Sequence, residues 1–311
     1  MKRGRRLLTT LALWMVAAPS LAQQTTNTEL RVVPTVREVT VDGELDDWDL
    51  SAGIFMCHDV AALATTNSVW AYMMHDPEAL YVAFRFKDRT PLVNHVNPQT
   101  KPGEAWQSDC MQVRFWTDQV INLDSHYYTD GKRPSVYMAY MDYGVPGEQQ
   151  PNRRWLKEAI GHGVQAAFRI DEDGQGYTQE LAFPWSMLRR DGKAYQVGER
   201  FRCGLEPMWG DVTGGATGPL HRFADLVNPE QKDRVFFWKH KDAWGTAVLV
   251  GENNVVPSPT AKLVSADAES DDSFTLAQRL ALKRTTTRGP VEVRYELPHE
   301  ANVTLVIENE N

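Results

Sequence analysis

Cysteine is scarce in this sequence, which has only three in 311 residues: Cys57, Cys110 and Cys203. At most one disulfide can form within the chain, so the dense disulfide framework of a small secreted scaffold is excluded. No cysteine has a second cysteine or a histidine at the spacing of a zinc site. The fold must therefore rest on its hydrophobic core, and we expect the three thiols to be buried as apolar groups.

Positive charge and long apolar runs are scarce as well. The sequence has 33 Lys and Arg residues against 41 Asp and Glu residues, which gives a net charge of −8. A polyanion-binding protein normally has a basic surplus, so we expect no nucleic-acid partner. After residue 22 no apolar stretch is long enough to span a bilayer, so we expect no transmembrane segment in the mature chain.

Catalytic signatures are also absent. The sequence has no GxSxG elbow, no HExxH pair, no GxxxxGK[ST] loop and no GxGxxG after a predicted strand. This absence favours a binding protein over an enzyme. Carboxylates are plentiful, however, so an acid and base pair of the glycosidase type stays an alternative.

The first 22 residues have the pattern of a secretory signal peptide. A basic stretch that includes Arg5 and Arg6 precedes the apolar run Leu7 to Ala18, and Ser20 and Ala22 are small residues at the cleavage positions. The apolar run has about 12 residues, which is too short to cross a hydrocarbon core of about 30 Å as a helix. We therefore expect a secreted or periplasmic protein, with an uncleaved N-terminal anchor as the alternative.

Short strands are predicted throughout residues 30–250. In Leu80 to Phe86, for example, apolar residues alternate with Tyr81, Ala83 and Arg85, which is the period of a strand with one buried face. The other predicted strands are Ser68–Met74, Met111–Trp116, Ser135–Met141, Gly163–Ile170, Tyr177–Phe183, Phe201–Met208 and Gly245–Val250. Only short helices are expected, such as Pro184–Leu188. This pattern predicts an all-β fold, an antiparallel β-sandwich of the jelly-roll or Ig-like type.

The strand-rich part forms one predicted domain, residues 23–252. Residues 253–261 carry two prolines and no periodicity, so we interpret them as a linker. Residues 262–311 contain the predicted strands Val291–Tyr295 and Val303–Ile307. The segment resembles the small Ig-like modules that end many secreted bacterial proteins, and we expect a module that ends early.

The most informative residues are tryptophans, of which there are ten. Trp106 precedes a predicted strand, and Trp238 and Trp244 precede the last one. A ring at a strand end faces solvent more readily than a ring inside a strand. Two such rings would clamp the flat C–H face of a pyranose, and nearby polar side chains would take its hydroxyls. Core packing of each ring is the alternative.

Five motifs in the same order resemble the carbohydrate-binding modules of family nine, within the wider set of DOMON-like β-sandwiches. The similarity covers about residues 30–250. The motifs are Val41-Asp42-Gly43-Glu44-Leu45-Asp46-Asp47-Trp48, Leu80-Tyr81-Val82-Ala83-Phe84 with Asp88, Trp106-Gln107-Ser108-Asp109, Tyr177 through Trp185, and Trp238 through Gly245.

The resemblance implies a non-catalytic protein that holds the end of a glycan between two tryptophans, Trp106 and Trp238. In the family a carboxylate binds sugar hydroxyls at the position that Gln112 occupies here, and glutamine carries no charge. Glu206 occupies the position of a polar family residue on a late strand. Tyr137 occupies the position of the family's arginine on the intervening strand, which is a second departure from the family's pattern. No cofactor is required.

The resemblance also implies structural calcium. Asp42, Asp46 and Asp47 are its candidate ligands, because oxygen-rich turns suit this hard cation. The spacing of these residues does not match the EF-hand loop.

The same superfamily contains haem-binding members related to the small subunit of ethylbenzene dehydrogenase, which function in electron transfer. Their axial ligands are a methionine and a lysine or histidine. This sequence has several methionines on or near predicted strands and three basic residues in a late loop. They are Met73, Met74, Met111, Met138 and Met141, and Lys239, His240 and Lys241. Haem binding is therefore the alternative function, although methionine more often fills a core.

Overall fold

A computed structural model describes residues 24–141, 154–214, 221–230 and 240–252. The predicted signal peptide, linker and C-terminal module, and also Trp238, lie outside the described residues. The described part is all-β, as predicted, with two four-residue helices, α1 (Val60–Leu63) and α2 (Trp185–Leu188). No helix in these ranges is long and apolar enough to span a membrane.

Thirteen strands make up the described fold. They are β1 (Glu29–Pro34), β2 (Ile54–Cys57), β3 (Asn67–His75), β4 (Ala79–Asp88), β5 (Cys110–Trp116), β6 (Val120–Tyr128), β7 (Arg133–Tyr140), β8 (Arg154–Leu156), β9 (Gln165–Ile170), β10 (Gly176–Pro184), β11 (Arg200–Trp209), β12 (His221–Arg222) and β13 (Gly245–Leu249).

The strands form one continuous sheet in the order β8-β7-β6-β5-β11-β13-β1-β3-β4-β10-β9, with β12 paired to β11 and β2 paired to β3. The sheet curls over so that its two halves face each other. Phe115 on β5 contacts Phe183 on β10 across this interface, with ring centroids 6.1 Å apart. The two strands are not neighbours in the sheet, so their contact is sandwich packing, as predicted.

The predicted antiparallel arrangement holds for the described strand pairs except those of β1. β1 runs parallel to β13 on one side and parallel to β3 on the other. Parallel neighbours require long connections, and here the chain passes through residues 35–66 between β1 and β3. β1 therefore joins the two halves of the sheet.

The core lies between the two halves. On β5, Met111, Val113 and Phe115 are fully buried in it, and the alternating residues Gln112 and Arg114 point to the opposite face. The three cysteines are buried and free, which confirms the prediction of apolar thiols. Burial raises the pKa of all three, because a thiolate is poorly solvated in an apolar interior.

Candidate functional site

A groove of about 380 Å³ lies on the face of β7, β6, β5 and β11 that points away from the core. Four predicted ligand residues line it: Trp106, Gln112, Tyr137 and Glu206. The fifth, Trp238, lies outside the described residues. The sheet thus brings together side chains that are up to 100 positions apart in the chain.

Strand register explains this convergence. Glu206 on β11 pairs with Gln112 on β5, Gln112 pairs with Asp124 on β6, and Asp124 pairs with Tyr137 on β7. Residues that pair across strands point to the same face, and neighbouring strands lie about 4.8 Å apart. The four side chains therefore form one polar row about 14 Å wide across the floor of the groove.

A second row runs beside the first, two residues along each strand. It contains Arg114, Asn122 and Ala139, and its register continues to Trp155 on the edge strand β8. Trp155 is exposed, so an aromatic surface borders this face of the sheet at its edge. Arg114, Asn122, Asp124 and Trp155 were missed by the sequence reasoning, because their common face becomes apparent only from the register.

Arg114 is the electrostatic centre of the groove. Its side chain is 2% exposed, and its Nη2 donates a 2.6 Å hydrogen bond to Oε1 of Gln112 and lies 3.8 Å from Oε2 of Glu206. The Nε2 of Gln112 in turn donates to Oδ1 of Asp124 at 2.6 Å. One guanidinium thus connects both buried carboxylates of the floor, one directly and the other through an amide.

Asp124 is the titratable group of the floor. Burial raises its pKa to about 6, since desolvation outweighs the opposing effects of Arg114 and the Gln112 hydrogen bond. Near neutral pH the floor therefore carries a carboxylate that is readily protonated. Hydrogen-bond donors and acceptors lie side by side along the row, as recognition of sugar hydroxyls requires.

Trp106 rises from an anchored loop at the rim. It occupies the centre of a single 3₁₀ turn, Ala105–Gln107, and is 43% exposed, whereas its neighbours are buried. The side chain of Asn94 donates to the carbonyls of Ala105 and Asp109 at 2.9 and 3.0 Å. The ring is therefore held in place by its backbone before any ligand arrives.

Asp109 ties this loop to two further segments. Its carboxylate accepts hydrogen bonds from the backbone N–H of Val93 at 2.8 Å and of Gly210 at 2.6 Å. Burial and, after it, the charge of Asp88 raise the pKa of Asp109 to about 8. This carboxyl group ties the segment after Trp106 to its neighbours and does not line the groove.

Tyr137 is the last residue of the polar row on the β7 side. It lies against the loop that carries Gly103. A Cβ built on Gly103 would lie 2.8 Å from the Tyr137 ring, and the residue has a φ of +75°. Glycine is therefore required there for both space and backbone conformation. The loop packs directly onto the tyrosine ring.

The predicted calcium ligands lie in a turn that Glu180 holds. Glu180 accepts hydrogen bonds from the backbone N–H of Asp42 and Gly43 and from the indole of Trp48, each at 2.9 Å. Two of the sequence motifs thus meet in this contact. Within the described ranges, no three Asp, Glu, His or Cys side chains converge to hold a metal ion. Calcium at Asp42, Asp46 and Asp47 stays a prediction.

The methionines of the haem alternative are mostly packed in the core. Met73, Met74, Met111 and Met138 are each at most 1% exposed. Of the candidate basic ligands, Lys241 lies over the Trp116 ring at 4.2 Å, and Lys239 lies outside the described residues. Haem binding therefore also stays a prediction.

Three comparisons with known proteins were made. No family model matches the chain, and no curated protein matches it. The chain is similar to a carbohydrate-binding module of family 9 from Caldicellulosiruptor kristjanssonii in complex with cellotriose, with 16% sequence identity, a TM-score of 0.46, and coverage of 74% of this chain and 98% of that one. It is also similar to a family 9 module from the same organism in complex with glucose, with 15% identity, a TM-score of 0.45, and coverage of 73% and 100%. The family that the sequence motifs resemble is the family of these two structures.

Proposed function

We propose that this chain is a secreted, non-catalytic protein that binds carbohydrate in the groove beside Trp106. The observation that carries the proposal is an anchored, exposed indole at the rim of a floor made of polar side chains. Sugars present apolar C–H faces and a rim of hydroxyls, so an aromatic platform beside paired donors and acceptors matches their chemistry.

In this proposal Trp106 stacks on a sugar ring, and Gln112, Glu206 and Tyr137 take its hydroxyls. Trp238 would provide the opposing ring of a clamp that holds the end of the glycan. Asp124 and Arg114 orient the Gln112 amide from both sides, which fixes the direction of its donor and acceptor atoms. A floor that is organised in advance loses little conformational entropy when the ligand binds.

The test is a titration of the full chain with a panel of neutral oligosaccharides, in wild type and Trp106→Ala. A tryptophan side chain has about 150–250 Å² to bury, of which 43% is exposed here. At about 25 cal/mol per Å² the lost stacking amounts to about 2 kcal/mol. We therefore expect Trp106→Ala to bind about 30-fold more weakly in isothermal titration calorimetry.

Ile170→Ala is the matched control, because Ile170 is an equally exposed apolar residue on β9 in the other half of the sheet. It should bind as wild type does. Trp155→Ala should weaken the binding of longer oligosaccharides only. Unchanged affinity of Trp106→Ala would remove the basis of the proposal.

Glycoside hydrolysis is the second candidate, favoured by one observation. Asp124 and Glu206 flank Gln112 on the same floor, and the pKa of Asp124 is raised as in a general acid. Both carboxylates are at most 5% exposed and are tied to Arg114 and Gln112, which favours a role in binding. Release of reducing ends by wild type, and its loss in both Asp124→Asn and Glu206→Gln, would establish hydrolysis.

A further inference from the structure

A second pocket, of about 470 Å³, lies where β6 begins and β7 ends, beside α2. Three arginines line it, Arg154, Arg189 and Arg190, together with the polar residues Gln119 and Ser186. We call it the arginine pocket. No carboxylate lines it among the described residues, although the chain as a whole has a net charge of −8. The arginine pocket is thus lined by positive charge in a chain whose net charge is negative.

Two of the guanidinium groups stack on tyrosine rings. The Cζ of Arg154 lies 4.1 Å from the ring centre of Tyr140, and the Cζ of Arg189 lies 4.4 Å from that of Tyr195. Stacking fixes the plane of a guanidinium and leaves the N–H groups at its edge available. Such edges bind planar or tetrahedral oxyanions through paired, charge-assisted hydrogen bonds.

Two carboxylates lie nearby without lining the pocket. Asp191 accepts from Nη2 of Arg189 at 3.2 Å, and Asp118 accepts from the backbone N–H of Arg190. Arg189 is therefore partly neutralised. Within the described ranges no carboxylate forms an ion pair with Arg154 or Arg190, and both side chains are exposed.

The arginine pocket continues the groove. Met141 lines both, and Val120 in the pocket lies on the same strand as Asp124 in the groove. Four residues of a β-strand span about 13 Å, a distance that an oligosaccharide of a few units covers. A glycan seated at Trp106 would thus reach the arginines with a unit further along its chain.

From this placement we infer that the arginine pocket binds an anionic substituent, a carboxylate or a sulfate ester, on the glycan held in the groove. The inference rests on the proposed function and names the class of ligand: an acidic oligosaccharide. Arg154 and Arg190 make the main contacts, since Arg189 is already bonded to Asp191.

Three probes with one backbone test this inference in calorimetric titrations of the full chain. They are neutral cello-oligosaccharide, the same oligosaccharide oxidised to carboxylates at C6, and the same oligosaccharide sulfated at C6. We expect at least one acidic form to bind about tenfold more tightly than the neutral form at low salt, and this gain to shrink with ionic strength. Comparison of the carboxylated probe with the sulfated probe shows which of the two charged groups the pocket binds.

The double variant Arg154→Gln with Arg190→Gln should no longer bind the acidic probes more tightly than the neutral one. Its affinity for the neutral probe should equal that of wild type. Arg85→Gln with Arg200→Gln is the matched control, because it removes the same charge from exposed arginines outside both pockets. Equal affinity for all three probes, or an equal loss in both double variants, would overturn the inference.

The two proposals fail in different ways. If Trp106→Ala binds every probe as wild type does, the groove is not the sugar site, and carbohydrate binding there is rejected. A charge-dependent loss confined to Arg154→Gln with Arg190→Gln would in that case show that the arginines bind an anion independently of Trp106, and the inference about the glycan in the groove would be rejected as well. If neutral sugar binds through Trp106 and charge has no effect, only the arginine pocket is rejected.

Discussion

Replacement of Arg114 by methionine tests whether the groove floor is held by electrostatics. Methionine resembles the unbranched stem of arginine and lacks the guanidinium, so Glu206 and Asp124 lose their buried cation. At 3.8 Å and an effective dielectric constant of about 20, the Arg114–Glu206 attraction is about 4 kcal/mol. Loss of one member of a buried pair costs a similar amount, about 3–5 kcal/mol.

We therefore expect Arg114→Met to lower the free energy of unfolding by about 4 kcal/mol at pH 8. For a domain of this size the Tm would fall by roughly 8–16 °C. Urea denaturation followed by tryptophan fluorescence measures the change. The deficit should shrink at pH 5, because Asp124, whose pKa rises further without Arg114, is then protonated and no longer needs a cation.

The double variant Arg114→Met with Glu206→Gln is the control for this reasoning. It removes both charges of the pair, so it should recover more than half of the lost stability. A single variant within about 1 kcal/mol of wild type at pH 8 would show that Arg114 does not hold the floor. A double variant no more stable than the single one would refute the role of Glu206 as its partner.

Other variants probe the floor and the Asp42 to Asp47 turn. The folded-state pKa of Asp124 is raised from 3.8 to about 6, so its ionisation increasingly opposes folding as the pH rises from 3.8 to about 6. In urea titrations Asp124→Asn should therefore gain about 3 kcal/mol over wild type between about pH 3 and pH 8. Glu180→Gln should cost about 2 kcal/mol, because an amide cannot accept all three N–H donors, whereas exposed Glu78→Gln should be neutral in the same denaturation assay. If the turn binds calcium, millimolar calcium should raise the Tm of wild type, and EGTA should reverse this rise.

Most strands could be predicted from the sequence, including three of the four in the groove floor: β5, β7 and β11. β4 and β10 alternate regularly and were found within a few residues of their bounds. β6 was missed because Ser125 interrupts the core face formed by Ile121, Leu123 and Tyr127, and because asparagine and aspartate are uncommon in strands. One polar residue on the core face thus weakens the alternation by which a strand is recognised.

The residues of the candidate site could be predicted only in part from the sequence. The motif resemblance named Trp106, Gln112, Tyr137 and Glu206, which all line the groove. Arg114 lies two residues from Gln112, yet its importance depends on the pairing of β5 with β11, a contact between segments about 90 residues apart. Pairing over such distances is not encoded in any local pattern, which is also why the parallel placement of β1 was missed.

The position of β1 also determines when the sheet can be completed. Its partner β13 follows about 210 residues later in the chain. At about 5–20 residues per second, synthesis leaves one edge of β1 unpaired for roughly 10–40 seconds. Closure of the sheet must therefore come late, and until then one edge of β1 is open to pairing with other chains.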